Sequence, residues 1–491
     1  MHLILGILPQ NLAIYTLSFE LRYSVWVMHE FRAMSDHRRD VLESLTSYSS
    51  VVYSLLGCLK QLEACRKSSR ASHSISREVY KLMNRDISVL VVQLVLFLND
   101  STSYKRFLAC RGPIAQDLVD LLQDLLDHED FFVVKPFLFK ALLRLSRASG
   151  LHPRCFPIWR LQKVGKQVAA GGFSDIWKGL VRGQSVSVKI MRLFENEEIE
   201  SALKEFGREA LIWRQLHHPN LLPFFGLYYL DQQLCLVSPW MEYGNILQCL
   251  NKAPNGIDRL SLILDVALGL QYLHDNRVVH GDLKAINILV TPSRRACIAD
   301  FGFSSIANAM TLRVTHSTAD TRGGTARYQA PELLQGESQN HPPSDVYAFA
   351  CVCYEILTGK APFYELSNDA TIIFKVIGGD RPTRPLSCSA TTVYDSLWDL
   401  IQDCWQGNPD LRPTAAQIVE RLIGPSIQAT TTQSTTDWDD TFSSKFRRSM
   451  QVQPLLPSIA QIKRMLFGDG VVEGKIPIIP SEASTMHRIP E

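Results

Sequence analysis

Residues 278–290 read VVHGDLKAINILV. Two apolar runs flank a short polar break that holds one carboxylate, one ammonium and one amide: Asp282, Lys284 and Asn287. A second carboxylate, Asp300, follows Asp282 by 18 residues in the stretch ADFGF. An aspartate in a loop is most often a cap or a turn former, so none of these residues is informative singly. As a set they offer three oxygen-bearing side chains, able to hold a hard cation, and one positive charge. Phosphoryl transfer, which depends on positioning and charge neutralisation more than on covalent help, calls for such groups.

Groups of this kind need elements to hold them. From Leu161 the chain runs through short β-prone stretches, LVRG, QSVSVKIMRLF and later QLCLVSPW, and after about Asp258 it turns helical. Strands first and helices afterwards predict two unlike lobes with a cleft between them. Lys189 lies inside the alternating run SVSVKIM, where a lysine is ordinarily a solvated face. Upstream, VAAGGFSDIW offers Gly171 and Gly172 for a tight turn whose N–H groups can approach a phosphate, or for an ordinary hairpin turn. Downstream, KEFGREALIWRQL offers Glu205 and Glu209, four residues apart and so on one helical face.

From Leu161 to Leu422 the order of these motifs resembles the protein kinases. The phrases GGFSDIWKG, EALIWRQLHHPNLLPFFGLY, VVHGDLK and SDVYAFACVCYEILTGKAPF are most similar to the tyrosine-kinase-like group of serine/threonine kinases, in the form expanded in mushroom-forming fungi. The resemblance implies an α+β, bilobal kinase fold with a small β-rich N-lobe and a larger helical C-lobe. It also implies ATP and Mg2+ as cofactors, and Ser or Thr side chains of protein substrates as acceptors. In the nucleotide loop, Ala169, Gly171 and Ser174 stand at the three glycine positions, beside Gly172, and Ile176 stands at the valine. Lys189 would hold the α- and β-phosphates, with Glu209, 20 residues on, as its partner. Ser238 would be the gatekeeper, Pro239 the first hinge residue, and Met241 the adenine N–H donor. By the same resemblance Asp282 takes or orients the acceptor hydroxyl's proton, Lys284 steadies the transferred group, and Asn287 and Asp300 hold the metal. Asp345 would tie down the catalytic loop, Arg412 would pair with Glu332 of Ala330-Pro331-Glu332, and Lys284 with Thr325 points to Ser/Thr specificity.

The chain departs from the family pattern at Ala169 and Ser174, and at Gly281, where that family usually has an arginine. The arginine commonly pairs with an activation-loop phosphate. Its loss implies intact chemistry with weak dependence on phosphate at Thr311, Thr315, Ser317, Thr318 and Thr321. The imperfect glycine loop leaves one alternative function, a pseudokinase-type binding scaffold.

Of 491 residues 46% are hydrophobic and 20% charged, an ordinary globular balance. The formal net charge of +2 gives no argument for nucleic acid or a membrane surface as partner. Eleven cysteines scattered without CxxC spacing predict reduced thiols and a cytoplasmic or nuclear protein. Residues 1–30 form an apolar extension of unclear role. It has no Lys or Arg before Arg22, and Pro9-Gln10-Asn11 interrupt it, which disfavours a leader or a spanning helix.

Residues 31–152 predict an all-α region for regulation or for a protein partner. One stripe there holds Ile114, Leu118, Leu121, Leu122 and Leu125; another holds Leu138, Ala141, Leu142 and Leu145, closed by Gly150. LHPRCFPIW is a connector. The kinase-like domain spans 160–424, and residues 425–491 predict a mostly disordered Ser/Thr- and Pro-containing tail.

Overall fold

A computed structural model describes residues 91, 94–126, 134–154, 158, 161–170, 174–191, 207–230, 233–252, 258–301, 305–306, 325–336, 340–384, 392–429, 437, 438, 442 and 446. The expectations for residues 1–30, for Gly171, Gly172 and Glu205, and for the five activation-loop hydroxyls fall outside these residues. The chain divides into two compact units, Met1–Cys155 with Val452–Glu491, and Phe156–Gln451.

In the first unit, helices α1 (Ser101–Ala109), α2 (Gly112–Leu126) and α3 (Lys135–Ser149) form where the periodicity places them. Leu118, Leu121, Leu122 and Leu125 are buried on α2, as are Leu138, Ala141, Leu142 and Leu145 on α3. Ile114 departs from the expected stripe: it lies in the first turn of α2 and is 51% exposed. Gly150 ends α3 in the left-handed conformation (φ 71°) and donates its N–H to Ser146 O. Among the described residues no helix is long and apolar enough to cross a membrane.

The second unit opens with an antiparallel sheet of order β1-β2-β3-β5-β4. Its strands are β1 (Leu161–Ala170), β2 (Ser174–Val181), β3 (Gln184–Met191), β4 (Gly226–Leu230) and β5 (Gln233–Pro239). Arg182 (φ 49°) and Gly183 (φ 82°) make the two-residue turn between β2 and β3. Two positive φ values match the right-handed twist of a hairpin. On β3 the alternation sends Val186, Val188 and Ile190 into an apolar cluster on one face, with Lys189 between them on the other. Ile176 and Leu236 stand directly across from Lys189 and share its face. Helix α4, residues 207–214, lies between β3 and β4 in sequence.

The helical lobe is built on two long helices whose buried residues occupy every side, as core helices require. They are α6 (Arg259–Asp275) and α8 (Pro342–Thr358), with α5 (Ile246–Lys252) ahead of them. Asp258 caps α6 by accepting from Leu260 N, and α8 starts on a proline and ends on left-handed Gly359. Gly269 lets α6 approach the loop before β4: a Cβ there would stand 2.8 Å from Asn220 O. Two short pairs frame the cleft, β6 (Val278–Val279) with β9 (Ser305–Ile306), and β7 (Ile288–Val290) with β8 (Ala296–Ile298). Helices α7 (Pro331–Leu334), α9 (Asp369–Ile377), α10 (Thr392–Cys404) and α11 (Ala415–Ile423) complete the lobe.

Most of the Ser/Thr- and Pro-containing tail falls outside the described residues, which there are 425–429, 437, 438, 442 and 446. Of these, Ile427, Ala429, Trp438 and Phe446 are all under 9% exposed and belong to the second unit. Average composition there is polar. Yet Trp438, Phe442 and Phe446 recur every four residues, and each ring removes apolar area from water.

Candidate active site

Three local structures bring the expected residues together. The sheet supplies Lys189, helix α4 supplies Glu209, and the loop between β8 and β9 supplies Asp300. Lys189 Nζ lies 2.8 Å from Glu209 Oε1 and 2.8 Å from Asp300 Oδ1. Burial works against the ammonium, but the Asp300 and Glu209 carboxylates outweigh it and raise the Lys189 pKa. Burial likewise opposes ionisation of Asp300. Lys189 overrides it and holds the carboxyl at about 2. Asp300 is thus an anion, and its side chain is 39% exposed, so a cation can reach it. Its backbone is left-handed (φ 66°), a conformation that costs a non-glycine residue energy and that clusters at functional sites. Glu209 is almost wholly buried, and burial raises its pKa against the pull of Lys189.

The catalytic-loop residues converge on one another. Lys284 Nζ is 2.7 Å from Asp282 Oδ2. Asn287 donates through Nδ2 to Asp282 O at 2.9 Å, and a one-turn 3-10 helix, Ala285–Asn287, sets that reach. Burial raises the Asp282 pKa, with Lys284 opposing it. His280, which the sequence analysis did not single out, supports the loop from inside: its Nδ1 accepts from Asp282 N at 3.3 Å and its Nε2 faces Ala299 O at 3.1 Å. Asp345 accepts from His280 N at 2.8 Å and from Gly281 N at 2.9 Å, as expected of the residue that ties this backbone down.

Gly281 has φ 81°, left-handed backbone. An L side chain there costs roughly 1–2 kcal/mol. The glycine therefore removes a side chain and also a strain. Gly281→Ala is expected to lower stability by about 1 kcal/mol, read as a shift in the urea midpoint with unchanged slope. An unshifted midpoint would refute the conformational argument.

Two more groups escaped the sequence analysis. Phe301 packs 5.6 Å from Trp213 of α4 and 5.6 Å from His280, ring centre to ring centre. This links the helix that carries Glu209 to the loop that carries Asp282. The signal was present, since Trp213 lies four residues after Glu209 on the same helix. Glu355, buried within α8, accepts from Ala285 N at 3.2 Å and from Tyr328 OH at 2.7 Å, and burial pushes its carboxyl up to about 7. Nothing local in the sequence marks it.

The nucleotide-side residues are placed in part. Ala169 pairs with Ile176 across β1 and β2. Ser174 begins β2. Ser238 is buried and lies opposite Ser187 of β3, Pro239 ends β5, and buried Met241 accepts from Gly244 N at 3.1 Å. Thr325 opens the 3-10 turn Thr325–Tyr328.

The donor chemistry fits a magnesium–nucleotide pair. Asn287 and Asp300 offer hard oxygen atoms, and magnesium ordinarily takes one or two protein oxygens while phosphates and water supply the rest. Lys189 gives the matching cation for the phosphates. Among the described residues no group of three or more His, Cys, Asp or Glu could form an all-protein metal cage.

The sequence profile of the protein tyrosine and serine/threonine kinase family matches residues 162–422. The chain belongs to this family. It is similar to the serine/threonine-protein kinase STY17 of Arabidopsis thaliana, 33% identical over 264 residues, covering 53% of this chain and 44% of that one. The serine/threonine/tyrosine-protein kinase HT1 of the same plant is 31% identical over 265 residues, 53% of this chain and 65% of its own. The probable serine/threonine-protein kinase drkC of Dictyostelium discoideum is 33% identical over 264 residues, 53% of this chain and 34% of its own. The chain thus spans less than two thirds of the length of each of these relatives. Their names support the tyrosine-kinase-like plant and amoeba types of kinase.

Proposed function

We propose that this chain is an ATP-dependent protein serine/threonine kinase, acting in signalling in the cytoplasm or the nucleus. One observation carries the proposal: Lys189 Nζ sits at 2.8 Å from both Glu209 and Asp300, while Asp282, Lys284 and Asn287 share one hydrogen-bonded loop. When bound, magnesium–ATP supplies the phosphoryl group and neutralises its charge. Lys189, fixed by Glu209, orients the α- and β-phosphates. Asp300 and Asn287 hold the metal. Asp282 orients the acceptor hydroxyl and takes its proton, and Lys284 steadies the group in transit. Pro239 lacks an N–H but keeps the carbonyl that a hinge uses at its first position, and Met241 N–H is the adenine donor.

Gly281, in place of a phosphate anchor, supports a regulatory variant of a working kinase, of the form expanded in mushroom-forming fungi that the motif phrases resemble. The helical region of residues 31–152 would hold a protein partner. The cytoplasmic placement rests on the scattered cysteines alone.

The deciding assay incubates purified protein with labelled ATP, magnesium and a generic basic protein. Label on Ser or Thr is expected. A folded protein that transfers none overturns the proposal and favours the scaffold, to which the Ala169 and Ser174 departures point. A second test concerns Ser238, whose side chain is small and buried and, as gatekeeper, should leave room behind the adenine site. Ser238→Met is expected to weaken a bulky ATP-site inhibitor by about tenfold or more, a discrimination readily achieved by a steric clash. Unchanged inhibition would show that residue 238 does not border that space.

A further inference from the structure

Described residues of the tail make contacts at three places in the second unit. The first contact is at the turn between β7 and β8. The Asp437 carboxylate accepts from Ser293 N at 3.1 Å and from the Ser293 hydroxyl. Asn287 precedes β7 and Asp300 follows β8, so Ser293 is the far end of the hairpin whose near end holds both metal-site residues.

The second contact is at the loop following α4. Trp438 Nε1 donates to His218 O at 3.1 Å. That loop is already fastened to the helical lobe. His218 stacks on Tyr272 at 4.9 Å, Asn220 Nδ2 donates to Ala296 O at 2.9 Å, and Leu222 N donates to Ile298 O at 2.8 Å. Trp213, on the same helix as Glu209, donates to Leu222 O.

The third contact is on the sheet. Phe446 stacks on Phe225 with ring centres 3.7 Å apart, and Phe442 lies 5.7 Å from the same ring. Phe446 belongs to the apolar cluster of Val186, Val188 and Ile190, on the face of β3 opposite Lys189. Trp438 and Phe442, at 6.2 Å, join the second and third contacts into one aromatic ladder.

We propose that the segment bearing Asp437, Trp438, Phe442 and Phe446 is an intramolecular brace that holds the α4 loop, the β7–β8 hairpin and the sheet in the one relative placement at which Lys189, Glu209 and Asp300 meet. The inference rests on the proposed kinase activity for its kinetic readout only. Trp438 touches no reacting atom; it is a positioning residue. Because Lys189 and Asp300 lie on different lobes, a contact that spans the lobes acts on their separation, and loss of the brace weakens nucleotide binding rather than the transfer step.

The test uses the full chain with Phe442→Ala/Phe446→Ala, and separately the milder Trp438→Phe, which keeps a ring and removes the donor. The double variant is expected to raise KM for ATP by about tenfold, a usual coupling between distant sites, with kcat changed less. Amide hydrogen exchange at His217, Asn220 and Leu222 should quicken in both variants. A synthetic peptide of residues 434–448 added in trans should restore KM and slow the exchange of the double variant. A variant that is folded and only melts earlier, with wild-type KM and wild-type exchange at those amides, overturns the brace. If wild-type protein transfers no phosphate, the kinase proposal fails by itself. Exchange and its reversal by the peptide then decide the brace alone.

Discussion

Asp282→Asn is expected to lower the rate of phosphate transfer by about a thousandfold, within the 10²–10⁴ range that positioned acid–base groups supply, and to leave the fold intact. The asparagine has the same shape and keeps the backbone carbonyl that accepts from Asn287 at 2.9 Å. It loses the charge that lies 2.7 Å from Lys284 and the capacity to take a proton. Lys189, Glu209 and Asp300 are untouched, so ATP affinity should stay within a few-fold of wild type. The pH profile offers a second check. Burial raises the Asp282 pKa above the ordinary 3.8, and only the ionised form can accept a proton. Activity therefore falls on the acid side at a pH above the usual aspartate range. A variant within tenfold of wild type would remove Asp282 from the mechanism.

The largest expected effect on stability lies away from the chemistry. Arg412 places its fork on Glu332, with both N–O distances 2.7 Å, and its side chain is fully buried. The same guanidinium donates to Gln406 O at 2.8 Å and to Pro343 O at 2.9 Å. It thereby joins α7, the start of α8 and the turn before α11. Arg412→Ala strands the buried carboxylate and two carbonyls. The expected cost is about 3–5 kcal/mol, a fall of about 10 °C in the melting temperature of this unit. The double variant Arg412→Met/Glu332→Leu should recover much of the loss, because no charge is then left buried alone. Burial opposes the Glu332 charge, yet the Arg412 fork outweighs it and holds the pKa below the ordinary 4.5. The pair's contribution is full above that ordinary value and is lost as pH falls through the lowered one. Equal melting of Arg412→Ala and wild type would show that the pair carries no net stability.

The sequence by itself determined the residues that meet in the cleft. Asp282, Lys284 and Asn287 lie within a single short loop. Lys189 is placed on a strand by a period of two, and Glu205 and Glu209 share one face by a helix period; only the resemblance to the kinases chooses Glu209. The local placements are legible in the chain because each follows from local geometry. The stripes of α2 and α3 were legible for the same reason. Ile114 was not: it is 51% exposed although Ala115, beside it in the same turn, is buried, and periodicity alone does not show where the covering helices stop.

Tertiary structure alone decided the rest. The left-handed backbone at Gly281 follows from how Asp345 grips the loop from α8, and only the assembled loop displays it. Glu355 matters because Ala285 and Tyr328, from separate segments, converge on it. The alternation of Val186, Val188 and Ile190 announces a covered face opposite Lys189 and says nothing of what covers it. Phe446, from the far end of the chain, lies on it. Residues so distant in sequence share no period, and a polar average hides three aromatic rings. What joins them is the burial of apolar area, a property of the folded surface and not of any local run.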